Sequence, residues 1–155
     1  MSVMYETILV PTDGSPGARA AIERAVDLAT RYDATIHALY VADVRMSPVS
    51  SEMGRETVLE MLEENDGKPT TAVLDRAEAA GVPAVERIEV GVPHEVIERY
   101  VDEHGVDVVV MGTHGRTGLR HALLGSLTER VIRTLDVPVL AVPVGRSDVV
   151  DADEE

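Results

Sequence analysis

The sequence has no cysteine, no tryptophan and no phenylalanine. Without cysteine it can form no disulfide, no thiolate metal site and no cysteine nucleophile. Without Phe or Trp the core must be filled by Ala, Val, Leu and Ile, which suit thin helices laid on a buried parallel sheet. Lysine is nearly absent as well: Lys68 stands alone beside thirteen Arg. The 14 basic residues face 28 Asp and Glu, a net charge of −14. A surface of that sign repels nucleic acid and anionic lipid, so neither is expected as a partner. Abundant Asp and Glu with almost no Lys suggests a halophilic source, where an acidic surface maintains solubility in concentrated salt. No apolar run approaches the ~20 residues that a membrane span needs. Met1 to Tyr5 lacks the basic start and apolar stretch of a signal peptide, so the cytoplasm is the expected compartment.

What is present fits one domain: 155 residues with an apolar fraction of 45%, enough for a real core. Residues 1–146 are expected to form it, with 147–155 an acidic, mobile C-terminal tail. Apolar runs alternate with helical patterns, as in a βαβ fold. Thr7 to Val10 reads as a strand ending at Pro11. Ser15 is a good N-cap and Pro16 suits a first helical turn. Ile22, Val26 and Ala29 then recur at helical spacing, and the helix ends near Arg31 to Asp33. Ala34 to Val41 is the second strand, and Ala42 to Gly54 is loop-like. A second helix spans Glu52 to Ala80, interrupted near Asp66 to Pro69, with Gly81 as its stop. Val85 to Val90 is an amphipathic edge strand. Pro93 opens a third helix that Gly105 closes. Val106 to Met111, apolar except for Asp107, is a central strand. A fourth helix starts at Ser126, and Val137 to Val142 is the last strand. Crossovers of this length imply parallel neighbours and right-handed connections. Ligands of such open sheets bind at the carboxyl ends of the strands, where strand order reverses. The exits of strands one and four carry the Gly and polar residues, which places a site there.

The exit of strand four is rich in glycine: Gly112, Gly115, Gly118 and Gly125. A phosphate chain needs backbone N–H groups at close range, which a Cβ obstructs, and it gains from the positive end of a helix. Ser126-Leu-Thr-Glu129 also matches a capping box, so Ser126 can cap the helix, flank a phosphate, or both. The loop is neither a P-loop nor a dinucleotide fingerprint, because the Lys-Ser/Thr pair and Gly-x-Gly-x-x-Gly are missing.

Gly112-x2-Gly115-x9-Gly125-Ser126 resembles the nucleotide-binding motif of universal stress proteins. Ile8 to Ser15 is similar to that family's opening strand and turn. Gly91-x-Pro93-x3-Ile97 resembles a later strand-to-helix junction, and Val137 to Pro143 the closing strand. Ala42 to Val85 supports nothing specific. The resemblance implies an α/β fold: an open five-stranded parallel sheet in the order 3-2-1-4-5, with helices on both faces, Rossmann-like. It also implies roles. Asp13 matches the acidic residue at the ribose and adenine end, where a carboxylate accepts from ribose hydroxyls, with Pro11 and Thr12 beside it among the nucleotide-binding residues; the alternative for Asp13 is a turn residue beside Ser15. Val41 matches a position whose backbone meets adenine, and simple strand burial is its alternative. Gly112, Gly115, Gly125 and Ser126 match phosphate-binding positions, flanked by Met111, Leu127 and Thr128. Arg116 and His114 lie in the loop, as phosphate partners or solvated residues. The ligand implied is ATP (or AMP or ADP), with Mg2+ carried on the phosphates.

The leading expectation is an ATP-binding stress-response or regulatory protein. The alternatives are a slow ATP-hydrolysing or phosphate-transferring enzyme, and a dimeric interaction module. No Lys clamp or general base of the kind phosphoryl transfer uses is evident. His37, His94, His104 and His121 show no metal-ligand spacing. Val137 to Val142, apolar and at a sheet edge, is expected to pair two subunits into a homodimer. Val137, Val139 and Ala141, or the opposite set, would form the shared core.

Overall fold

The computed structural model describes residues 4–43, 56–57, 60–61, 67–113 and 124–143. Its five strands are β1 Thr7–Pro11, β2 Thr35–Asp43, β3 Ala84–Gly91, β4 Val108–Gly112 and β5 Val139–Val142. Every neighbouring pair is parallel and the order is β3-β2-β1-β4-β5. The helices are α1 Pro16–Tyr32, α2 Thr71–Ala79, α3 Pro93–His104 and α4 Ser126–Thr134. This is the expected open, Rossmann-like α/β sheet.

Strand periodicity divides the core into two layers. Ile8 and Val10 of β1, Ile36 and Ala38 of β2, and Val108 and Val110 of β4 share one cluster with α1 and α2. Leu9, Leu39, Val109 and Met111 lie in the other, with Val96, Ile97, Tyr100 and Val101 of α3 and Val131 of α4. The missing large aromatics are compensated by closeness. α1 presents Ala21, Ala25 and Ala29 to the sheet, each buried. Short side chains there let the helix axis approach the strands, which keeps the layer dense.

Helix boundaries follow local chemistry. Ser15 is the N-cap of α1, its Oγ accepting from the Ala18 N–H at 3.4 Å, with Pro16 in the first turn. Asp33 caps the other end at φ 56°, a left-handed position that Asp tolerates better than most residues. Gly105 closes α3 in the same region.

Three strand boundaries differ from expectation by two residues. β4 begins at Val108, because Asp107 turns its carboxylate to the N–H groups of Glu6 and Thr7, both at 2.9 Å. It ties down the entry to β1 instead of extending β4. β5 begins at Val139, two residues late. Pro138 has no N–H to offer a ladder, and only its carbonyl joins, accepting from the Val109 N–H at 3.0 Å. β2 runs on to Asp43, where a loop was expected from Ala42. The interruption expected in the second helix near Asp66 to Pro69 is present: Gly67 adopts φ +84° and Thr71 N–H closes a turn on the Lys68 carbonyl at 3.1 Å. Residues 56–57 and 60–61 are helical; the rest of 44–66, like the tail from 144, lies outside the described residues.

Candidate functional site

β1 is followed by β2 on one side, whereas β4 lies on its other side. The chain therefore leaves β1 and β4 in opposite directions, and a crevice opens between their carboxyl ends. Pairing of Ile8 with Val108 and Leu9 with Val109 sets the two strands level. Pro11 and Thr12 thus come to the same edge of the sheet as Met111 and Gly112.

The β1 exit is a closed local network. Thr12 is buried, its N–H donating to the Leu39 carbonyl at 2.8 Å. Its Oγ1 accepts from the Gly14 N–H at 3.2 Å, and Asp13 Oδ1 accepts from the Ser15 N–H at 2.9 Å. This Asx turn holds the half-buried Asp13 carboxylate at the mouth of the crevice. The turn role foreseen as an alternative for Asp13 is therefore present. It also fixes where the carboxylate sits. Gly14 takes φ +80°, which glycine adopts without strain.

Val41 lies two residues beyond Leu39, whose pairing with Pro11 is the last register pair between β1 and β2. Leu39 turns its carbonyl toward β1. Strand period puts the Val41 peptide groups on that same side, past the point where β1 ends.

The β4 exit is built differently. An ideal Cβ on Gly112 would lie 2.7 Å from the Gly17 carbonyl oxygen, so glycine lets the first turn of α1 rest on the strand end. Thr113 N–H donates to the Val142 carbonyl at 3.0 Å, and the Thr113 carbonyl accepts from Gly125 N–H at 2.7 Å. Thr128, buried, donates its hydroxyl to the Gly112 carbonyl at 2.8 Å. These bonds aim the start of α4 at the end of β4.

The capping box does not form. Gly125 is the N-cap of α4, with no side-chain cap, and exposed Ser126 is already the first helical residue. Glu129, which would reach back, is paired with Arg133 instead. The first intrahelical bond is Glu129 N–H to the Gly125 carbonyl at 3.0 Å. The N–H groups of Ser126, Leu127 and Thr128 precede that ladder, as in any helix start.

Of the sequence-derived site, Pro11, Thr12, Asp13, Met111, Gly112, Gly125, Ser126, Leu127 and Thr128 gather at these two exits, with Val41 beside them. The Met111 side chain is in the core and Leu127 packs on it, which leaves backbone as what either can offer. Gly115, Arg116 and His114 lie outside the described residues. Gly17 was not foreseen, since nothing local marks a glycine that receives another element.

One polar cluster lies lower on the sheet. His37 Nδ1 is 2.6 Å from the Tyr100 hydroxyl, and His104 stacks on Tyr100 at 3.8 Å between centroids. Burial, then the nearby His104 and Arg87 charges, hold the His37 pKa below its ordinary value. Burial raises that of Tyr100, against the pull of Arg87. The cluster fastens α3 to β2 well away from the crevice.

Residues 4–143 match the Universal stress protein family. Universal stress protein MJ0531 of Methanocaldococcus jannaschii is 38% identical over 142 residues, covering 90% of this chain and 82% of that one. The structure of MJ0577, from the same organism, superposes with a TM-score of 0.79 at 35% identity, over 93% of this chain and 99% of the other. A universal stress protein solved in complex with cAMP matches at a TM-score of 0.66 and 28% identity, over 92% and 100% of the two chains. With its strand order, its crevice and these matches along nearly its full length, the chain belongs to the universal stress protein family.

Proposed function

We propose that the protein binds an adenine nucleotide, ATP in the first instance, across the crevice between β1 and β4, as a regulatory ligand. The observation that carries this is the start of α4: a helix with no side-chain cap, entered through a glycine, aimed at the end of β4. The N–H groups of Ser126 and Leu127 and the positive end of the helix suit a phosphate. Gly125 contributes openness, its own N–H being engaged by Thr113. Gly115 and Arg116 complete the phosphate side in this reading. Asp13, held by its turn, accepts from the ribose hydroxyls. The peptide edge of Val41 meets the adenine. Mg2+ enters as a counter-ion of the phosphates, with no protein ligand assigned to it. The cAMP complex of a relative supports the nucleotide class.

Titration calorimetry with ATP, at matched salt on folded protein, tests this. Gly115→Val and Gly125→Val are each expected to weaken ATP by about tenfold or more, about 1.4 kcal/mol. Unchanged affinity in both refutes the site. Steady-state turnover of Mg2+-ATP separates a ligand from a substrate.

The partner in this reading is a second copy, paired along β5. Pro138 and Val142 turn their carbonyls toward β4, so the peptide groups of Val139 and Ala141 face the open edge. Val137 and Val139 side chains pack on the α3 and α4 layer, whereas Leu140 remains 43% exposed. Antiparallel pairing about a two-fold axis at Leu140 would join Val139 to Ala141 of the other copy and bring the two leucines together. Leu140→Glu and Val139→Glu are expected to give monomers by light scattering. A wild-type monomer at micromolar concentration excludes the dimer.

A further inference from the structure

His37 of β2 and Tyr100 and His104 of α3 form a titratable cluster that the crevice does not use. The His37 Nδ1 lies 2.6 Å from the Tyr100 hydroxyl, and the two rings meet edge to face at 5.7 Å between centroids. His104 stacks on Tyr100 at 3.8 Å and stands 5.9 Å from His37. Its own Nδ1 donates to the Tyr100 carbonyl at 3.2 Å. The bond between His37 and Tyr100 therefore ties the C-terminal half of α3 to the sheet.

Proton accounting sets the direction of that bond. The Arg87 guanidinium of β3 is turned to the Tyr100 hydroxyl, to which it can only donate. The Tyr100 oxygen accepts from Arg87, and its single proton goes to His37. Nδ1 of His37 is then an acceptor, and the neutral ring carries its proton on Nε2. A second proton has only Nδ1 to sit on, where it meets the Tyr100 proton. The charged ring would also face the Arg87 charge, and that of His104 when it is protonated. The remaining neighbours do little to offset this. Leu9, opposite His37 on β1, is apolar. Glu89, on the same face of β3 as Arg87, is engaged by Arg87 at 3.6 Å and Arg99 at 3.8 Å, and Glu103 pairs with Arg99.

We propose that His37 and Tyr100, backed by Arg87, form an acid-operated latch that holds the C-terminal half of α3 on β2 at neutral pH and releases it when His37 takes up a proton. The proton goes to Nδ1, and the bond lost is the one from the Tyr100 hydroxyl. A released imidazole binds a proton near its ordinary pKa of about 6.5. Burial, then His104 and Arg87, lower that of the latched ring. The open state thus binds more protons, so acid below about pH 6.5 favours opening. Tyr100 and Val101 are buried in one core cluster with Leu39 and Val109, so opening bares apolar surface on this face of the sheet. The α1 and α2 layer lies on the other face and stays closed.

Two measurements on the intact chain test this. Nitrogen-15 NMR of the imidazole at pH 7.5 is expected to show the His37 proton on Nε2, and a proton on Nδ1 would overturn the latch. Amide exchange is then compared at pH 7.5 and pH 5 as protection factors, from which the intrinsic effect of pH is divided out. Protection at Val101 to Gly105 is expected to fall by about fivefold or more at pH 5, with β1, β4 and α1 unchanged. His37→Asn puts an amide oxygen near the Nδ1 position, where it accepts from Tyr100 at either pH, and should keep its protection at pH 5. Tyr100→Phe keeps the ring without the hydroxyl and should be loosened at both. Equal wild-type protection at the two pH values contradicts the proposal. So does a loss that persists in His37→Asn, which belongs to another titrating group, or one spread over every element, which is global unfolding. Should His37→Asn not fold, a Tyr100→Phe protein with the wild-type pH response would overturn the latch by itself.

Discussion

Two helices start at the crevice, and they start in opposite ways. α1 is capped by Ser15, preceded by an Asx turn and opened by Pro16. Its entry is satisfied from within. α4 enters through Gly125 with no side-chain cap, although Ser126 and Glu129 were at the spacing to supply one. A cap contributes about 1 kcal/mol. α2 and α3 also begin without a side-chain cap; what sets α4 apart is that Thr128 and Thr113 anchor its start to the end of β4, beside the crevice. A satisfied helix start builds a wall; an uncapped one leaves donors for a phosphate.

The two described glycines of the motif show the same contrast. Gly112 is required by folding, since a Cβ would strike the Gly17 backbone. Gly125 has φ −63° and ψ 154°, a conformation any residue adopts. Gly112→Ala is therefore expected to destabilise the protein by about 1–3 kcal/mol, through the overpacked contact of α1 with β4. Denaturant unfolding checks it, and wild-type stability would show that α1 yields freely. Gly125→Asp is expected to leave stability within about 0.5 kcal/mol, because Asp caps slightly better than Gly. The same change should abolish detectable ATP binding, by placing a carboxylate where the phosphate sits. Retained ATP affinity would show that α4 receives no anion.

Asp13→Ala sharpens the comparison from the other side. It is expected to weaken ATP and adenosine alike, by about tenfold, because both carry the ribose. A loss confined to Mg2+-ATP would move Asp13 to the metal. The smallest effect belongs to the region apart from both helix starts. The folded-state pKa of His37 is lowered. The unfolded chain thus binds its proton first as pH falls below about 6.5. The contribution of His37 to stability is full above that pH and is lost as pH falls toward the folded value. Melting temperature between pH 8 and pH 5 should fall less in His37→Gln than in wild type. Parallel curves would contradict this.

Much of the fold was legible because its signals are local. Ser15-Pro16, Gly105 and the strand runs each report on their own neighbourhood. The strand order came from family likeness, and pairing bore it out. What misled was sequence that fits two local rules. Ser126 to Glu129 reads as a capping box, but the helix that begins at Ser126 as expected has Gly125 as its N-cap, and Glu129 pairs with Arg133. Asp107 reads as part of a strand, but two N–H groups from a neighbouring chain segment claim it. Gly17 and Thr70 meet partners far away in sequence, which no window contains.

The central claim is that the start of α4 takes the phosphates of an adenine nucleotide. It is tested most directly by calorimetric titration of ATP and adenosine into wild type and Gly125→Val at matched salt. The account predicts ATP binding by wild type, weakened about tenfold or more in the variant, with adenosine changed far less. Equal ATP affinity in the two proteins, at equal stability, would contradict it.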